Sequence, residues 1–176
     1  MKKILKVAGI IILIIVAFVL IAGIILPKNF HIERSTVIIA SKDSVWNYVG
    51  SLQGIAKWSP WTDGDPNLQV TYEGQEGAVG SVYRWKGNKQ VGSGNQAITK
   101  LDKPNRIETH INFIEPFAGK AEAFIALANE GNGTKATWGL DTGYPYPMNV
   151  MTLFINLDKT IGEQYEKGLE RLKKLA

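Results

Sequence analysis

Twenty consecutive residues, Val7 to Leu26, carry no charge, and the stretch ends in the run IIILIIVAFVLIAGIIL. A helix begun at Ile4 and continued through this run spans roughly 34 Å at about 1.5 Å per residue, enough to cross a ~30 Å hydrocarbon core. Lys2, Lys3 and Lys6 precede the run and only Lys28 follows it closely. Positive charge is retained on the cytoplasmic side, which leaves the N-terminus in the cytoplasm and everything after Lys28 outside it. A cleaved signal peptide is the rival. It would have an apolar region of about 7–15 residues and a small-x-small site. This run is too long and has no small residue at the right offset before Gly23. Leu20-Ile21-Ala22-Gly23 resembles a lipoprotein box, but Ile24 stands where the lipidated cysteine belongs and the chain has no cysteine. The expectation is an uncleaved transmembrane anchor over 1–28 and an extracytoplasmic domain over 29–176.

The charge count needs the same partition. The chain has 20 Lys and Arg against 16 Asp and Glu, a formal +4. Four of the basic residues (Lys2, Lys3, Lys6 and Lys28) flank the anchor, which leaves the outer domain with 16 of each sign. The basic pI therefore reports topology, and no nucleic-acid partner is expected. Absence of cysteine also removes disulfides, thiol nucleophiles and thiolate metal sites. The outer domain must be held by its own core, which its length permits.

After the anchor, NFHIERSTVIIA alternates and is rich in β-branched residues, so it reads as a strand. SKDSVWNYVGSL reads as a short helix: Ser41 is a good N-cap, Asp43 suits the positive end of the helix dipole, and Val45, Trp46, Val49 and Leu52 fall at helical spacing. WSPWTDGDP follows, with two tryptophans in a stretch of turn residues, Trp58 and Trp61. Six segments of period two come next: LQVTYEG, SVYRWKG, GSGNQAITKLD, RIETHINFIE, AEAFIALAN and TKATWGLD. Glu130-Gly131-Asn132-Gly133 predicts a tight hairpin, its Asn-Gly pair tolerating positive φ. From Met148 to Leu175 apolar residues step by three or four, which predicts one long helix. Gly168 shares its inner face with Ile161, Tyr165 and Leu172; it serves either close helix–sheet packing or room for a ligand. Sequential hairpin-linked strands exclude a parallel βαβ architecture.

The stretches DSVWNYV, KWSPW with DPN, TYEGQEGAVGSVYRWKGN, VGSGNQAIT, NFIEPF, GTKATWGLD and DKTIGEQYEKGLERLK run in order through nearly the whole outer domain. In these the chain resembles the SRPBCC superfamily, the START-like helix-grip fold, in its polyketide cyclase/dehydratase-like branch. The resemblance implies an α+β domain whose curved antiparallel sheet of about seven strands wraps a long C-terminal helix, with a hydrophobic cavity between them. It also implies a hydrophobic small molecule or lipid as partner and fixes fold better than activity. On that basis Trp58 and Trp61 are expected over the cavity mouth, with Tyr83, Trp85, Phe113, Phe117, Phe124 and Trp138 along the sheet. Met148, Met151 and Phe154 are expected from the helix side, where methionine suits an adaptable pocket. The plainer alternative is that these side chains fill a closed core.

Catalytic constellations are not legible. His31 lies at the membrane-proximal start, and if Ile107, Thr109, Ile111 and Phe113 face inward, His110 faces solvent. No zinc spacing is present. Asp63-Gly64-Asp65-Pro66-Asn67 opens like a calcium loop, but Leu68 and Gly74 stand where glycine and glutamate are needed, so it reads as a turn. Gly92-Ser93-Gly94 precedes no helix and is no phosphate loop. Glu115 and Asp141 would serve as general acid or base only if buried. No catalytic residue, metal or cofactor is assigned. The first expectation is a membrane-anchored binder of a hydrophobic molecule. The alternatives are a cyclase or dehydratase acting on a hydrophobic substrate, and a closed-core envelope interaction or stress protein.

Overall fold

The structure is a computed structural model that describes residues 2–176. Two compact units are distinguished: one comprises the chain up to Phe30 together with Gly143–Asn156, the other His31–Thr142 together with Leu157–Ala176.

Strand β1 (Asn29–Ile38), which belongs to the larger unit from His31 on, leads into two short helices, α2 (Lys42–Val49) and α3 (Leu52–Ala56), counting the N-terminal helix as α1. Ser41 caps α2 by accepting the Ser44 N–H, and Ser51 caps α3 by accepting the Gly54 N–H. Each serine thus satisfies an N–H that its helix leaves without a partner. Val45, Trp46 and Val49 are buried from α2, Leu52 and Ile55 from α3. A single 3-10 turn at Pro60–Thr62 follows. Strands β2 (Gln69–Glu73), β3 (Val82–Lys86), β4 (Ser93–Asp102), β5 (Arg106–Glu115), β6 (Gly119–Glu130) and β7 (Gly133–Gly143) then form a meander. The seven strands make one sheet in the order β1-β7-β6-β5-β4-β3-β2. The seven-stranded antiparallel sheet and the long C-terminal helix are as expected from the sequence.

The period-two pattern sets which face is buried. Ile107 and Thr109 of β5, Ala121, Ala123, Ile125 and Leu127 of β6, and Ala136, Trp138 and Leu140 of β7 are all buried, while the residues between them, apart from Gly139, are more exposed. The β6–β7 hairpin closes on the pair Glu130 and Gly133. Its positive φ falls on Gly131, at 58°, and on no other loop residue. The turn is therefore of the type that wants glycine first, and Asn132 does not need a left-handed backbone.

The C-terminal pattern divides. Helix α4 covers Leu157–Leu175 and buries Gly162, Tyr165, Gly168, Leu169 and Leu172. Met148–Leu153 forms a 3-10 segment instead, and the chain between it and α4 is not helical. The expected single helix is corrected here. Apolar residues at helical spacing extend through both parts, but only α4 has the sheet to pack against within its unit, and tertiary packing rather than spacing sustains a helix.

The smaller unit contains α1 (Lys2–Ile25), long and apolar enough by length and composition to cross a membrane, with its side chains exposed over nearly its full length.

Candidate functional site: an aromatic-lined cavity

Two glycines decide how closely α4 approaches the sheet. A Cβ on Gly162 would lie 2.5 Å from Cζ of Arg34, which rises from β1 and donates to Asp158 and Glu166 of α4 at 2.9–3.0 Å. A Cβ on Gly168 would lie 2.6 Å from Cζ3 of Trp138, 3.1 Å from Cδ of Pro60 and 3.3 Å from Cζ3 of Trp58. Gly168 thus admits an indole pair and does not face open space. The ligand-room alternative for this residue is corrected in favour of close packing.

Around Gly168 the aromatic rings form a closed column. Trp138 stacks on Tyr165 at 4.1 Å between centroids, and Trp58 meets Trp138 edge-on at 4.8 Å. Trp58 is fully buried, and its Nε1–H donates to the Tyr48 carbonyl at 3.0 Å. Its place over a cavity mouth is corrected. The backbone N–H groups of Trp58 and Ser59 both donate to the Ile55 carbonyl, so the first tryptophan belongs to the last turn of α3 and points into the core. Trp61, three residues on, is 47% exposed.

Beside this column, still within the larger unit, lies a cavity of about 520 Å³, in the size range of small-molecule pockets. Trp61, Tyr83, Trp85, Phe113 and Trp138 all line it. Tyr83 stacks on Trp85 at 5.7 Å, and Trp85 meets Phe113 edge-on at 6.1 Å. The latter pair reaches across β4 because Gly94 lies between them: a Cβ there would sit 2.6 Å from Cη2 of Trp85. Exposed lining residues (Trp61, Asp63, Gly64, Gln90, Phe113 and Lys167) mark where the cavity meets solvent.

Phe124 is also at the lining, but its ring lies on the opposite face of the sheet. Its neighbours Ala123 and Ile125 point inward, and its own ring is covered by the Arg106 guanidinium at 4.1 Å and by His31 at 6.2 Å. The strand's alternation puts it there. Phe117 does not line the cavity and is 79% exposed in the turn between β5 and β6. Met148, Met151 and Phe154 belong to the smaller unit and are not among the lining residues. All three are exposed, because the segment that carries them never joins α4.

The polar groups of the cavity fall into two sets. Inside are neutral ones. Gln96 donates through Nε2 to the Thr109 hydroxyl at 2.8 Å, and the hydroxyl-bearing rings of Tyr83 and Tyr165 join them in the lining. Burial pushes the Tyr83 phenol up to about 12 and raises that of Tyr165 as well, so both stay protonated. At the solvent side, Asp63 receives Lys167 Nζ at 2.7 Å and both Arg171 nitrogens at 2.6–2.9 Å. Arg171 first, and then Lys167, hold the Asp63 carboxyl down to about 2. This ion pair fastens the 3-10 turn carrying Trp61 to α4. Sequence reading had Thr109 inward but missed its partner Gln96 and the Asp63 cluster. Alternation along β4 could have placed Gln96 inward with Ile98, whereas the cluster joins residues more than a hundred positions apart.

The remaining candidates do structural work. Asp65 accepts the N–H groups of Asn67 and Asn88 at 2.9 and 2.6 Å, which orders the Asp-Pro-Asn turn. Asp141 is exposed and bonds His31 at 2.7 Å, Glu115 is exposed and accepts the Ser93 hydroxyl, and neither lines the cavity. His110 bonds Glu122 at 2.5 Å from the outer face. Among the described residues no group of three or more His, Asp or Glu side chains could hold a metal ion.

Residues 29–176 match the family model described as polyketide cyclase / dehydrase and lipid transport. No curated protein matches in sequence. Solved structures that share the fold include truncated norcoclaurine synthase from Thalictrum flavum, at 14% identity and TM-score 0.60, covering 84% of this chain and 92% of that one. Ginseng major latex-like protein 151 from Panax ginseng aligns at 12% identity and TM-score 0.59, covering 84% of this chain and 97% of its own. A protein from Rhizobium loti aligns at 19% identity and TM-score 0.57, covering 85% and 96%. At these identities the structures speak for the fold alone. With seven antiparallel strands packed on a long C-terminal helix, and a family match over all of its length beyond residue 28, the chain belongs to the polyketide cyclase / dehydrase and lipid transport family.

Proposed function

We propose that this protein binds a hydrophobic small molecule or lipid in the cavity between sheet and α4, and that α1 anchors it in a membrane with the binding domain outside the cytoplasm. The observation that carries the binding reading is the cavity itself: about 520 Å³ of space walled by Trp61, Tyr83, Trp85, Phe113 and Trp138. A closed core would have filled that space, since interiors pack to crystal-like density. The chemistry of the wall narrows the ligand. Gln96, Thr109, Tyr83 and Tyr165 present an amide and hydroxyls, all uncharged, while Asp63 and Lys167 are paired with each other. Such a wall suits an apolar body bearing a neutral oxygen, such as an alcohol, a ketone or an ester, and would leave a carboxylate without a cation.

The test is a titration of the detergent-extracted full chain with a fluorescent apolar probe, N-phenylnaphthylamine. It is followed by displacement with three matched compounds: naphthalene, naphthol and naphthoate. Saturable binding with naphthol displacing best is the expected result. A probe that never binds would defeat the binding reading; naphthoate displacing best would defeat only its neutral-ligand part.

The anchor reading rests on the length and exposure of α1 and on the lysines before it. A phosphatase reporter fused after Ala176 should be active. Replacing Lys2, Lys3 and Lys6 by glutamate should lower that activity. An inactive reporter on the unaltered chain would reverse the topology, and mature protein starting near Gly23 would replace the anchor with a cleaved signal.

A further inference from the structure

The C-terminal end of α1 has a backbone problem that its own sequence cannot solve. In an α-helix the carbonyl of residue i accepts the N–H of residue i+4. For Gly23 that residue is Pro27, which has no N–H. In a bilayer such a carbonyl needs a partner from the protein, because the hydrocarbon offers none. Asn149, fully buried, supplies it: Nδ2 donates to the Gly23 carbonyl at 2.8 Å and to the Leu26 carbonyl at 3.0 Å. Gly23 itself is part of the joint. A Cβ there would lie 3.0 Å from the Tyr146 ring and 3.2 Å from Asn149 Oδ1. The Tyr144 N–H donates to the Lys28 carbonyl at 2.9 Å, and the Lys28 ammonium lies 5.9 Å from the centre of the Tyr146 ring. Segment Gly143–Asn156 is therefore fastened to one end of α1, within one compact unit.

Fastened there, the segment turns its apolar side chains outward. Met148, Met151, Leu153, Phe154 and Ile155 are all exposed, Phe154 at 78%. The sequence GYPYPMNVMTLFIN contains no charged residue. In the same unit the last residues of α1, Ile24 and Ile25, are also exposed. Tyrosine and lysine at the junction are the residue types that settle at the level of lipid headgroups.

We propose that Gly143–Asn156 is a second membrane contact, seated in the headgroup–acyl boundary of the same bilayer that α1 crosses, on the side where the C-terminus of α1 emerges. The inference rests on the reading of α1 as an uncleaved membrane span. A helix end capped by Asn149 fixes the segment at the depth of the α1 terminus. Apolar side chains held there bury themselves by entering the lipid boundary, as interfacial elements do to a depth of about 5–10 Å. The same joint explains two features of the sequence that a simple anchor does not need: a glycine one turn before the end of the apolar run, and an uncharged stretch that fails to join α4.

The chain has no cysteine, so single labels can be introduced without background. Phe154→Cys, Met151→Cys, Ile15→Cys and Lys135→Cys, each labelled with NBD and reconstituted as the full chain into phosphatidylcholine–phosphatidylglycerol vesicles, give the test. Positions 151 and 154 are exposed, so neither substitution disturbs a core. The labels there should emit blue-shifted and be quenched several-fold more by a shallow doxyl lipid than by aqueous iodide. The label at 15 should prefer a deep doxyl lipid, and the label at 135 should respond to iodide alone. Labels at 151 and 154 that behave like the one at 135, with 15 in lipid, overturn the proposal and leave the anchor standing. Labels shielded from both quenchers overturn it in favour of a protein partner or a second copy. A label at 15 that iodide reaches defeats the anchor reading, and the proposal with it.

Discussion

Two groups of aromatic residues share the side of the sheet that faces α4, and they have opposite surroundings. Trp138 is met from both directions, by Tyr165 of α4 on one flank and by Trp58 after α3 on the other. Among the described residues Trp85 has ring neighbours only along the sheet, Tyr83 and Phe113, and the space in front of it is the cavity. The residue types and the strand alternation are alike. What separates a core column from a cavity wall is whether a second element arrives to cover the ring, and here α3 and α4 cover β7 but leave β3 to β5 uncovered at the cavity. The column packs the core, and the rings of β3 to β5 wall the cavity.

The contrast breaks if the two indoles prove energetically equal. Trp138→Ala should cost about 3–5 kcal/mol in urea unfolding, as buried aromatic truncations do. Trp85→Ala should cost on the order of 1 kcal/mol, since one face of its ring is already open to the cavity. Equal losses would mean that the cavity is closed in solution. Gly168→Leu sharpens the same point from the helix side. It should overpack the column and lower stability by about 1–3 kcal/mol, read by the same unfolding curve. A neutral or stabilising effect would place open space where the structure puts Trp138 and Pro60.

A smaller effect concerns the ion pair that holds the turn of Trp61. The Asp63 carboxyl is held down to about 2 by Arg171 and Lys167, below its ordinary value of 3.8. Its contribution is therefore complete above pH ~4 and is lost as the pH falls from there toward 2. More than a third of the Asp63 side chain is exposed, so solvent screening limits the contribution to less than about 1 kcal/mol. Asp63→Asn should flatten that part of the stability–pH curve; an unchanged acid limb would show the pair to be absent in solution. The smallest change in stability belongs to Trp61→Ala, expected within about 0.5 kcal/mol as for an exposed site. The same variant should weaken retention of N-phenylnaphthylamine, and loss of stability without loss of probe would make Trp61 a core residue.

How much was legible depends on the range of the interaction involved. Ser41 as a helix cap, the alternation that buries Ala136, Trp138 and Leu140, and the inward position of Thr109 with His110 facing out are local consequences of backbone geometry. Trp58 and Trp61 show the limit. They sit three residues apart in one turn-rich stretch, and nothing in that stretch says that the first completes α3 and is buried while the second is exposed. Phe124 was misplaced for a different reason: its aromatic character suggested the cavity, while the period of β6 already assigned it to the other face.

By itself, the sequence determined the long apolar helix, the seven strands and their buried faces, the C-terminal amphipathic helix and the family, because each follows from repeats of two or of three to four residues and from ordered motifs along the chain. Tertiary structure alone decided that Gly162 admits Arg34, that Gly168 admits Trp138, that Asp63 meets Arg171, and that Asn149 replaces the N–H that Pro27 lacks. Those pairings join residues about thirty to more than a hundred and twenty positions apart. Side-chain spacing carries information only as far as one element extends; which elements meet, and what space they leave between them, is set by packing.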